Sequence, residues 1–239
     1  MKCVILQPSY IPWRGYFDQI FHADLFVFYD DVQYDTRGWR NRNRIKMPGG
    51  SQWLTIPVNA RGAQTDHIPI NQIKISWDRP WNQEHLKALH HAYNKAPFFS
   101  HYKSMLEGFY ARQDEFLADF TIELTIALAR AMGNTHTQFL RSSQLNATGS
   151  KTDRLIDVLR KVGADHYISG PSARDYIEVE KFARHNISLE YMTYNYPQYE
   201  QFYPPFDPQV TILDLLFMTG PDAIKYITGT PPHSFEGEG

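Results

Sequence analysis

Short apolar runs alternate with longer segments of helical periodicity along much of the chain. Residues 3–7 form one continuous apolar run, and residues 25–29 form another after an amphipathic segment at 13–22. Continuous runs of this length are typical of strands that are covered on both faces, and the intervening spacing indicates a helix. The pattern predicts a strand–helix–strand unit whose two strands are parallel.

The alternation of strands and helices returns in the second half of the chain. The pattern predicts strands at 137–141, 166–169 and 187–194, and helices at 208–219 and 222–227. Two further helices are predicted after Ser150 and Ser172, each of which begins a capping-box pattern; the first runs to Val162 and the second to about His185. This order predicts an α/β fold with a doubly wound, mostly parallel sheet.

The middle of the chain interrupts this order. Residues 35–50 are polar, basic and rich in turn formers, and apolar runs at 53–58 and 68–75 predict an inserted β-hairpin at about 50–76. Helical spacing predicts a helical segment at about 80–132, with a break near Gln113. We therefore expect a single α/β domain over residues 1–228 and a flexible Pro/Gly/Glu-rich tail at 229–239.

Net charge, cysteine count and aromatic content exclude some classes of protein and favour others. A formal charge of −2 argues against a nucleic-acid-binding domain. The single cysteine, Cys3, lies inside the first apolar run, which favours a core residue over a nucleophile and fits a reducing, cytoplasmic compartment. No apolar run approaches the roughly 20 residues of a membrane span. An aromatic content of 15% suits a pocket for a sugar, a base or a flat acyl group.

The ends of the predicted strands carry the candidate ligand-binding residues. Open α/β sheets bind ligands beyond the carboxyl ends of their strands. Pro8 and Pro12 stiffen the first of these loops, which leads into a helix N-terminus where anions are favoured. Polar residues at the five ends are Gln7, Ser9, Tyr10, Asp30, Asp31, Ser142, Ser143, Ser169, Gly170, Asn195 and Tyr196.

The segment from Trp39 to Lys46 alternates cations with amides. If it is extended, Arg40, Arg42 and Arg44 share one face, and Trp39, Asn41 and Asn43 share the other. Three guanidinium groups on one face suit a diphosphate, a phosphopantetheine arm or a carboxylate. A solvated strand face is the alternative interpretation.

Two further features are candidates for catalysis. Asp30 and Asp31 suit a divalent metal, sugar hydroxyls or simply a turn cap, and we predict no bound metal. His85 follows Trp77 and Trp81 on a predicted helix and is either a general base or an ordinary helix-face histidine. The sequence contains no GxSxG, Walker, GxGxxG or HExxH motif.

Several stretches resemble the WbqC-like family. They are QPSYIPWRGYFDQI, FVFYDDVQY, WRNRNRIK, WLTIPV, SKTDRLIDVL, YISGPSARDYI and ILDLLF, and the resemblance extends from residue 1 to about 228. It implies a role in bacterial surface-polysaccharide (O-antigen, lipopolysaccharide) biosynthesis and transfer of glycine or another acyl group to an amino sugar. Motif positions that it makes candidates are Gln7, Tyr10, Trp13, Gly15, Asp31, Trp39, Arg40, Asn41, Arg42, Lys151, Ser169 and Gly170.

The first unit is also similar in outline to the HIGH-motif nucleotidyltransferases and ligases. Pro12-Trp13 and Gly15-Tyr16 stand where that motif has histidines, which puts adenylate chemistry through those histidines in doubt.

These observations favour an N-acyl or aminoacyl transferase that acts on a sugar or sugar nucleotide. Loop N–H groups near Gly170 would support an oxyanion. The donor would be an activated amino acid or a thioester of coenzyme A or a carrier protein, with no tightly bound cofactor. Catalytic candidates are Tyr10, Asp31 and His85; substrate-binding candidates are Gln7, Ser9, Trp13, Gly15, Asp30, Trp39, Arg40, Asn41, Arg42, Arg44, Ser142, Lys151, Ser169 and Gly170.

Two other functions stay open at this point. A nucleotide-dependent ligase or nucleotidyltransferase would bind magnesium at Asp30 and Asp31. A non-catalytic protein would bind a small molecule without turnover, and its loop groups would need no perturbed pKa.

Overall fold

The computed structural model describes residues 1–228, which form nine strands and seven α-helices in the described range. The strands are β1 (Lys2–Leu6), β2 (Leu25–Phe28), β3 (Arg42–Met47), β4 (Gly50–Thr55), β5 (Val58–Asn59), β6 (Lys74–Ile75), β7 (Gln138–Arg141), β8 (His166–Ser169) and β9 (Ser188–Tyr191). The helices are α1 (Arg14–His22), α2 (Trp81–Tyr93), α3 (Phe99–Tyr110), α4 (Leu117–Ala131), α5 (Lys151–Lys161), α6 (Val179–Arg184) and α7 (Ile212–Thr219).

Five parallel strands form the central sheet in the order β7-β2-β1-β8-β9. From β1 the chain builds outward to β2 and β7, and it then returns to the other side of β1 for β8 and β9. The direction of winding therefore reverses between β1 and β8, which is the topological switch point of a doubly wound fold. The predicted α/β class is confirmed.

The two faces of the sheet belong to two hydrophobic cores. Val4 packs in the larger core with Phe17 of α1 and with the helices α2–α4 and α7. Cys3 and Ile5 point the other way and pack in the smaller core against α5 and α6. This alternation follows from the two-residue period of a strand. Burial also raises the pKa of Cys3 to about 12, in agreement with its interpretation as a core residue.

The inserted hairpin differs from the prediction in its pairing. Strand β4, which overlaps the predicted first arm at residues 53–55, pairs with β3 upstream of it, with Arg44 opposite Trp53 and the turn at Gly49 (φ 82°). Only the short strands β5 and β6 pair across the predicted hairpin. Strand β3 was not predicted because it lacks the alternation of apolar and polar residues. Its buried position 43 is an asparagine, whose side-chain amide donates to backbone carbonyls.

The helical segment agrees with the prediction, whereas the predicted caps do not form. Helices α3 and α4 are separated at residues 111–116, which confirms the break near Gln113. Neither Ser150 nor Ser172 accepts a capping hydrogen bond through its side chain. After Gly170 the chain forms a short 3-10 turn, Pro171–Asp175, and α6 begins only at Val179. The predicted tail at 229–239 lies outside the described residues.

Within residues 1–228 no helix combines the length and the apolar character needed to cross a membrane.

Candidate functional site

A pocket of about 680 Å³ opens at the carboxyl end of β1, beside the switch point. Residues of β1 and of the loop after it line the pocket, together with residues at the starts of α1 and α5. This is the position at which doubly wound proteins bind their ligands. The lining residues are Ile5, Leu6, Gln7, Ser9, Pro12, Trp13, Tyr16, Tyr29, Val32, Trp39, Arg40, Asn43, Lys151, Leu155, Tyr167, Tyr176 and Gln209.

The lining is positively charged. Arg40 and Lys151 contribute two cations, and no Asp or Glu from the described part of the chain is among the lining residues. Unbalanced positive charge in a concave, partly apolar surface favours an anionic ligand. Of the sequence-based candidates, the structure brings six to this pocket: Gln7, Ser9, Trp13, Trp39, Arg40 and Lys151.

Arg40 is held by the loop after β1. Its Nη1 donates to the carbonyl oxygens of Gln7 (3.1 Å) and Pro8 (3.2 Å) and to Oγ of Ser9 (2.9 Å). Its Nε is buried without a hydrogen-bond partner, and no carboxylate of residues 1–228 forms an ion pair with it. Burial lowers the pKa of the guanidinium, and the negative charge of nearby Asp35 opposes this shift without forming an ion pair.

Lys151 is the second cation of the pocket. It is the first residue of α5 and has a left-handed backbone conformation, with φ at 49°. A residue other than glycine pays a conformational cost there, and such strain is concentrated at functional sites. The structure gives its ammonium group no ion-pair partner among the described residues, so it is available to a ligand.

The start of α1 adds partial positive charge. Pro12, Trp13 and Tyr16 line the pocket, no side chain caps the helix, and its first turn contains no acidic residue. Free backbone N–H groups and the helix dipole favour anions at such an end. The indole of Trp13 lies over Gly15, where a Cβ would come within 2.4 Å of Cζ2 of Trp13. The candidate Gly15 therefore acts by making room for Trp13.

The loop between Pro8 and Pro12 is fixed by several hydrogen bonds. The side-chain amide of Asn43 donates to the carbonyl oxygens of Tyr10 (3.2 Å) and Ile11 (2.6 Å), and the N–H of Tyr10 donates to the carbonyl of Trp39 (3.2 Å). Ile11 has φ at 41°, a strained value for a β-branched residue. These bonds hold the strained conformation, so the pocket floor is preorganised.

Tyr10 and His85 meet each other but not the pocket. The hydroxyl of Tyr10 lies 2.8 Å from Nδ1 of His85 and is also hydrogen-bonded to the hydroxyl of Tyr110. Trp81 and Phe120 enclose this buried group. Burial lowers the pKa of His85 to about 4, so the ring is neutral near pH 7. We therefore assign both residues to support of the loop above them.

Asp30 and Asp31 form a cluster with Ser142, Ser143 and Arg154, which we call the aspartate cluster. Asp30 is fully buried, and its carboxylate accepts hydrogen bonds from the hydroxyl (2.9 Å) and the N–H (3.0 Å) of Ser143, while the single hydroxyl proton of Ser142 is shared between Asp30 (3.2 Å) and Asp31. Asp31 accepts from the hydroxyl of Ser142 (2.5 Å) and pairs with Arg154 (2.7 Å). The cluster joins the ends of β2 and β7 to α5, and its carboxylates are already occupied.

The three-arginine face does not form. Arg40 precedes β3 and turns toward the β1 loop, whereas Arg42 and Arg44 lie over Trp53, at 4.8 and 5.6 Å from its ring centre. The prediction was wrong because it extended the strand two residues too far upstream. Arg44 also donates to Gln209 (2.9 Å), so Arg40 alone of the three lines the pocket.

The remaining candidates lie near the pocket without lining it. The side-chain amide of Asn41 donates to the carbonyl of Ile56 (2.8 Å) and holds β3 to its neighbour. Ser169 is buried at the end of β8 with its hydroxyl 3.4 Å from that of Tyr167, and Gly170 follows it. The oxyanion role proposed for the N–H groups near Gly170 has no place in the pocket lining.

Sequence reasoning missed an aromatic wall. Tyr29, Tyr167 and Tyr176 line the α5 side of the pocket beside Ile5 and Leu155. Burial raises the pKa of Tyr29 to about 12, and it raises the pKa values of Tyr167 and Tyr176 as well. All three hydroxyls therefore stay protonated near neutral pH and are hydrogen-bond donors. Tyr29 could have been found from the sequence, because it is the last residue of a predicted strand. Gln209, which also lines the pocket, could not, because it comes from a distant segment with no such pattern.

The fold is doubly wound α/β, and its candidate site is an electropositive pocket at the switch point of the sheet. The particular family follows from comparison with known proteins. The model of the WbqC-like protein family matches residues 7–226, and the chain belongs to that family.

A curated relative supports the same assignment. The chain is 37% identical over 228 residues to the uncharacterized protein Rv1507c of Mycobacterium tuberculosis (strain ATCC 25618 / H37Rv), a match that covers 95% of this chain and 97% of the relative. No solved structure matches the chain significantly.

Proposed function

We propose that this protein transfers an acyl or aminoacyl group, such as glycyl, to the amino group of a phosphate-bearing amino sugar. The observation that supports the proposal is the charge of the pocket: Arg40, Lys151 and the uncapped start of α1 meet no carboxylate of the described chain there. Such a site suits a substrate whose phosphate groups supply the missing negative charge.

The proposed transfer is direct and needs no covalent intermediate with the protein. The neutral amine attacks the acyl carbonyl, the C–N bond forms, and the C–S or C–O bond to the donor breaks. The amine proton leaves with the departing thiol or hydroxyl group. Because the substrate phosphates occupy Arg40 and the start of α1 in this proposal, other fixed donors would have to stabilise the oxyanion of the tetrahedral intermediate. Positioning in the rigid pocket would supply the rest.

General-base roles for Asp31, His85 and Tyr10 are not part of this proposal. Asp31 is paired with Arg154, and Tyr10 and His85 hydrogen-bond to each other beneath the pocket floor. The substrate amine would instead be deprotonated before it reacts, so the rate should rise with pH until that amine is fully neutral.

The donor would approach from the side of the β3–β4 hairpin. Trp39 lines the pocket and is 41% exposed, and its ring lies 5.2 Å from that of the exposed Trp53. An exposed aromatic pair at a pocket mouth suits the arm of coenzyme A or of an acyl or aminoacyl carrier protein. Family membership favours a place in surface-polysaccharide biosynthesis on the cytoplasmic side of the membrane.

A transfer assay tests the proposal. The full chain is incubated with UDP-amino sugars and with glycyl or acetyl thioesters, and mass spectrometry detects the amide product. Lys151→Ala should lower kcat/KM about tenfold, as expected when one cation on a substrate phosphate is lost. Lys161→Ala, at the exposed far end of α5, is the matched control and should leave the rate unchanged. Formation of no amide from any donor–acceptor pair would contradict the proposal.

A nucleotide-dependent ligase is the second candidate, favoured by the position of the pocket at the switch point. Magnesium at Asp30 would have to displace the hydrogen bonds from Ser142 and Ser143. Magnesium-dependent conversion of ATP to AMP or ADP in the presence of an amino acid would favour this candidate over the transferase.

A further inference from the structure

The pocket has two chemically different halves. One half contains Arg40, Ser9 and the uncapped start of α1 together with Lys151, which adjoins the other half one turn from Leu155 on α5; all of them donate hydrogen bonds or carry positive charge. The other half is the aromatic wall with Ile5 and Leu155. A ligand that fills both halves must combine a strongly anionic part with a flat or apolar part.

The aromatic wall combines fixed rings with one exposed ring. Tyr167 is buried and stacks on Phe182, with 5.5 Å between ring centres and 7° between planes. Tyr29 lies at the end of β2 with the guanidinium of Arg154 5.9 Å from its ring centre. Tyr176 is 63% exposed on the loop after β8, where it contributes almost nothing to the core. An exposed tyrosine at the edge of a pocket is well placed to cover a flat ligand.

We propose that the pocket binds a nucleoside 5′-diphosphate group, with the base against the aromatic wall and the phosphates at Arg40, Lys151 and the start of α1. Aromatic side chains stack on every base, whereas the cationic half accepts the diphosphate. A volume of about 680 Å³ is within the usual range for a pocket that encloses a ligand of this size. This inference rests on the proposed function and names its substrate class.

Other anionic ligands use only part of the pocket. Inorganic diphosphate and sugar phosphates leave the aromatic wall empty, and an acyl chain leaves the cations unpaired. Two biological ligands share the nucleoside diphosphate group: a sugar nucleotide, as acceptor, and coenzyme A, as donor.

Isothermal titration calorimetry with UDP, CDP, ADP, GDP, uridine and inorganic diphosphate tests the inference on the full chain. At least one nucleoside diphosphate should bind about tenfold or more tightly than its own nucleoside and than inorganic diphosphate, because each of the latter fills one half only. Equal affinity for inorganic diphosphate and every nucleoside diphosphate would overturn the inference, as would the failure of all nucleotides to bind.

Two variants separate the halves of the pocket. Tyr176→Ala should weaken the preferred nucleotide about fivefold to tenfold and leave inorganic diphosphate unchanged, because one stacking surface is lost. Lys151→Ala should weaken both ligands about fivefold to tenfold, with a smaller salt dependence than the natural chain. Lys161→Ala should change neither affinity. Both Tyr176 and Lys151 are exposed, so their removal leaves the core intact. An unchanged nucleotide affinity in Tyr176→Ala would contradict the placement of the base.

Competition identifies the source and separates this inference from the proposed function. Tight binding of a UDP-amino sugar, displaced by UDP but not by coenzyme A, assigns the group to the acceptor; the reverse assigns it to the donor. Nucleotide binding without amide formation would leave this inference standing and remove the transferase. Amide formation on an amino sugar without nucleotide binding would support the transferase and overturn this inference.

Discussion

Two polar regions follow neighbouring strands of the same sheet, and they differ in whether their charged side chains are paired within the described chain. In the aspartate cluster, serine donors and Arg154 satisfy both carboxylates. In the pocket after β1, neither Arg40 nor Lys151 forms an ion pair within the described chain. The sequence presents both as polar strand ends.

This difference separates a polar loop that stabilises the fold from a polar loop that is a candidate binding site. A polar group whose bonds are complete stabilises the fold, because burying it unpaired would cost free energy. A charged group that is held in place without an ion-pair partner keeps its charge available to a ligand of opposite charge. On this criterion Asp30 is structural and Arg40 belongs to the site.

Removal of Asp30 should give the largest effect. Asp30→Ala leaves the hydroxyl and the N–H of Ser143 without their acceptor and opens a cavity at a fully buried position, so the free energy of unfolding should fall by about 4 kcal/mol. Urea denaturation measures the loss. Nucleotide affinity of the folded fraction should persist; a stable variant that has lost only ligand binding would mean that the aspartate cluster belongs to the site.

His85 should make stability depend on pH without affecting ligand binding. Its pKa is about 4 in the folded protein against 6.5 ordinarily, so the unfolded chain takes up a proton first as the pH falls. Stability is therefore fully present above about pH 6.5 and is lost by about 3 kcal/mol as the pH approaches 4.

Denaturation of the natural chain and of His85→Leu at several pH values measures this contribution. The variant is less stable at neutral pH, but its further loss on acidification should be smaller by about that same 3 kcal/mol. Parallel curves for the two proteins would show that His85 does not titrate as a buried neutral ring.

Substitution of Gly15 should lower both the stability of the protein and its affinity for a ligand in the pocket. In Gly15→Ala the new methyl group displaces the indole of Trp13, and we expect a loss of about 2 kcal/mol in stability together with weaker ligand binding. Gly108→Ala, in α3 with open space around it, is the control and should gain about 0.5–1 kcal/mol. Unchanged ligand affinity in Gly15→Ala would remove Trp13 from the site.

Lys151→Gly should give the smallest change and the opposite sign. Glycine accepts φ at 49° without strain, so the variant should be more stable by up to about 1 kcal/mol while binding the nucleotide more weakly. Thermal melting with and without nucleotide measures both effects. A variant that is less stable than the natural chain would contradict the strain assigned to this residue.

Part of the site could be predicted from sequence and part could not. Gln7, Ser9 and Trp13 belong to a loop after an evident strand, so the general rule for α/β sheets locates them. Arg40 was found in a basic run, but its separation from Arg42 and Arg44 depends on where β3 begins. His85 looked catalytic because a sequence cannot show that Tyr10, from far upstream, occupies its ring nitrogen.

The sequence by itself determined the α/β class and the succession of central strands and helices along the chain, because continuous apolar runs and 3.6-residue spacing are local properties that these elements retain. Only the tertiary structure decided the partner of β4, the closure of the aspartate cluster and the meeting of Tyr176 with Lys151 at one pocket. Those features are contacts between distant segments. Their free energy depends on which donors and acceptors the fold brings within reach, and no local pattern records that choice.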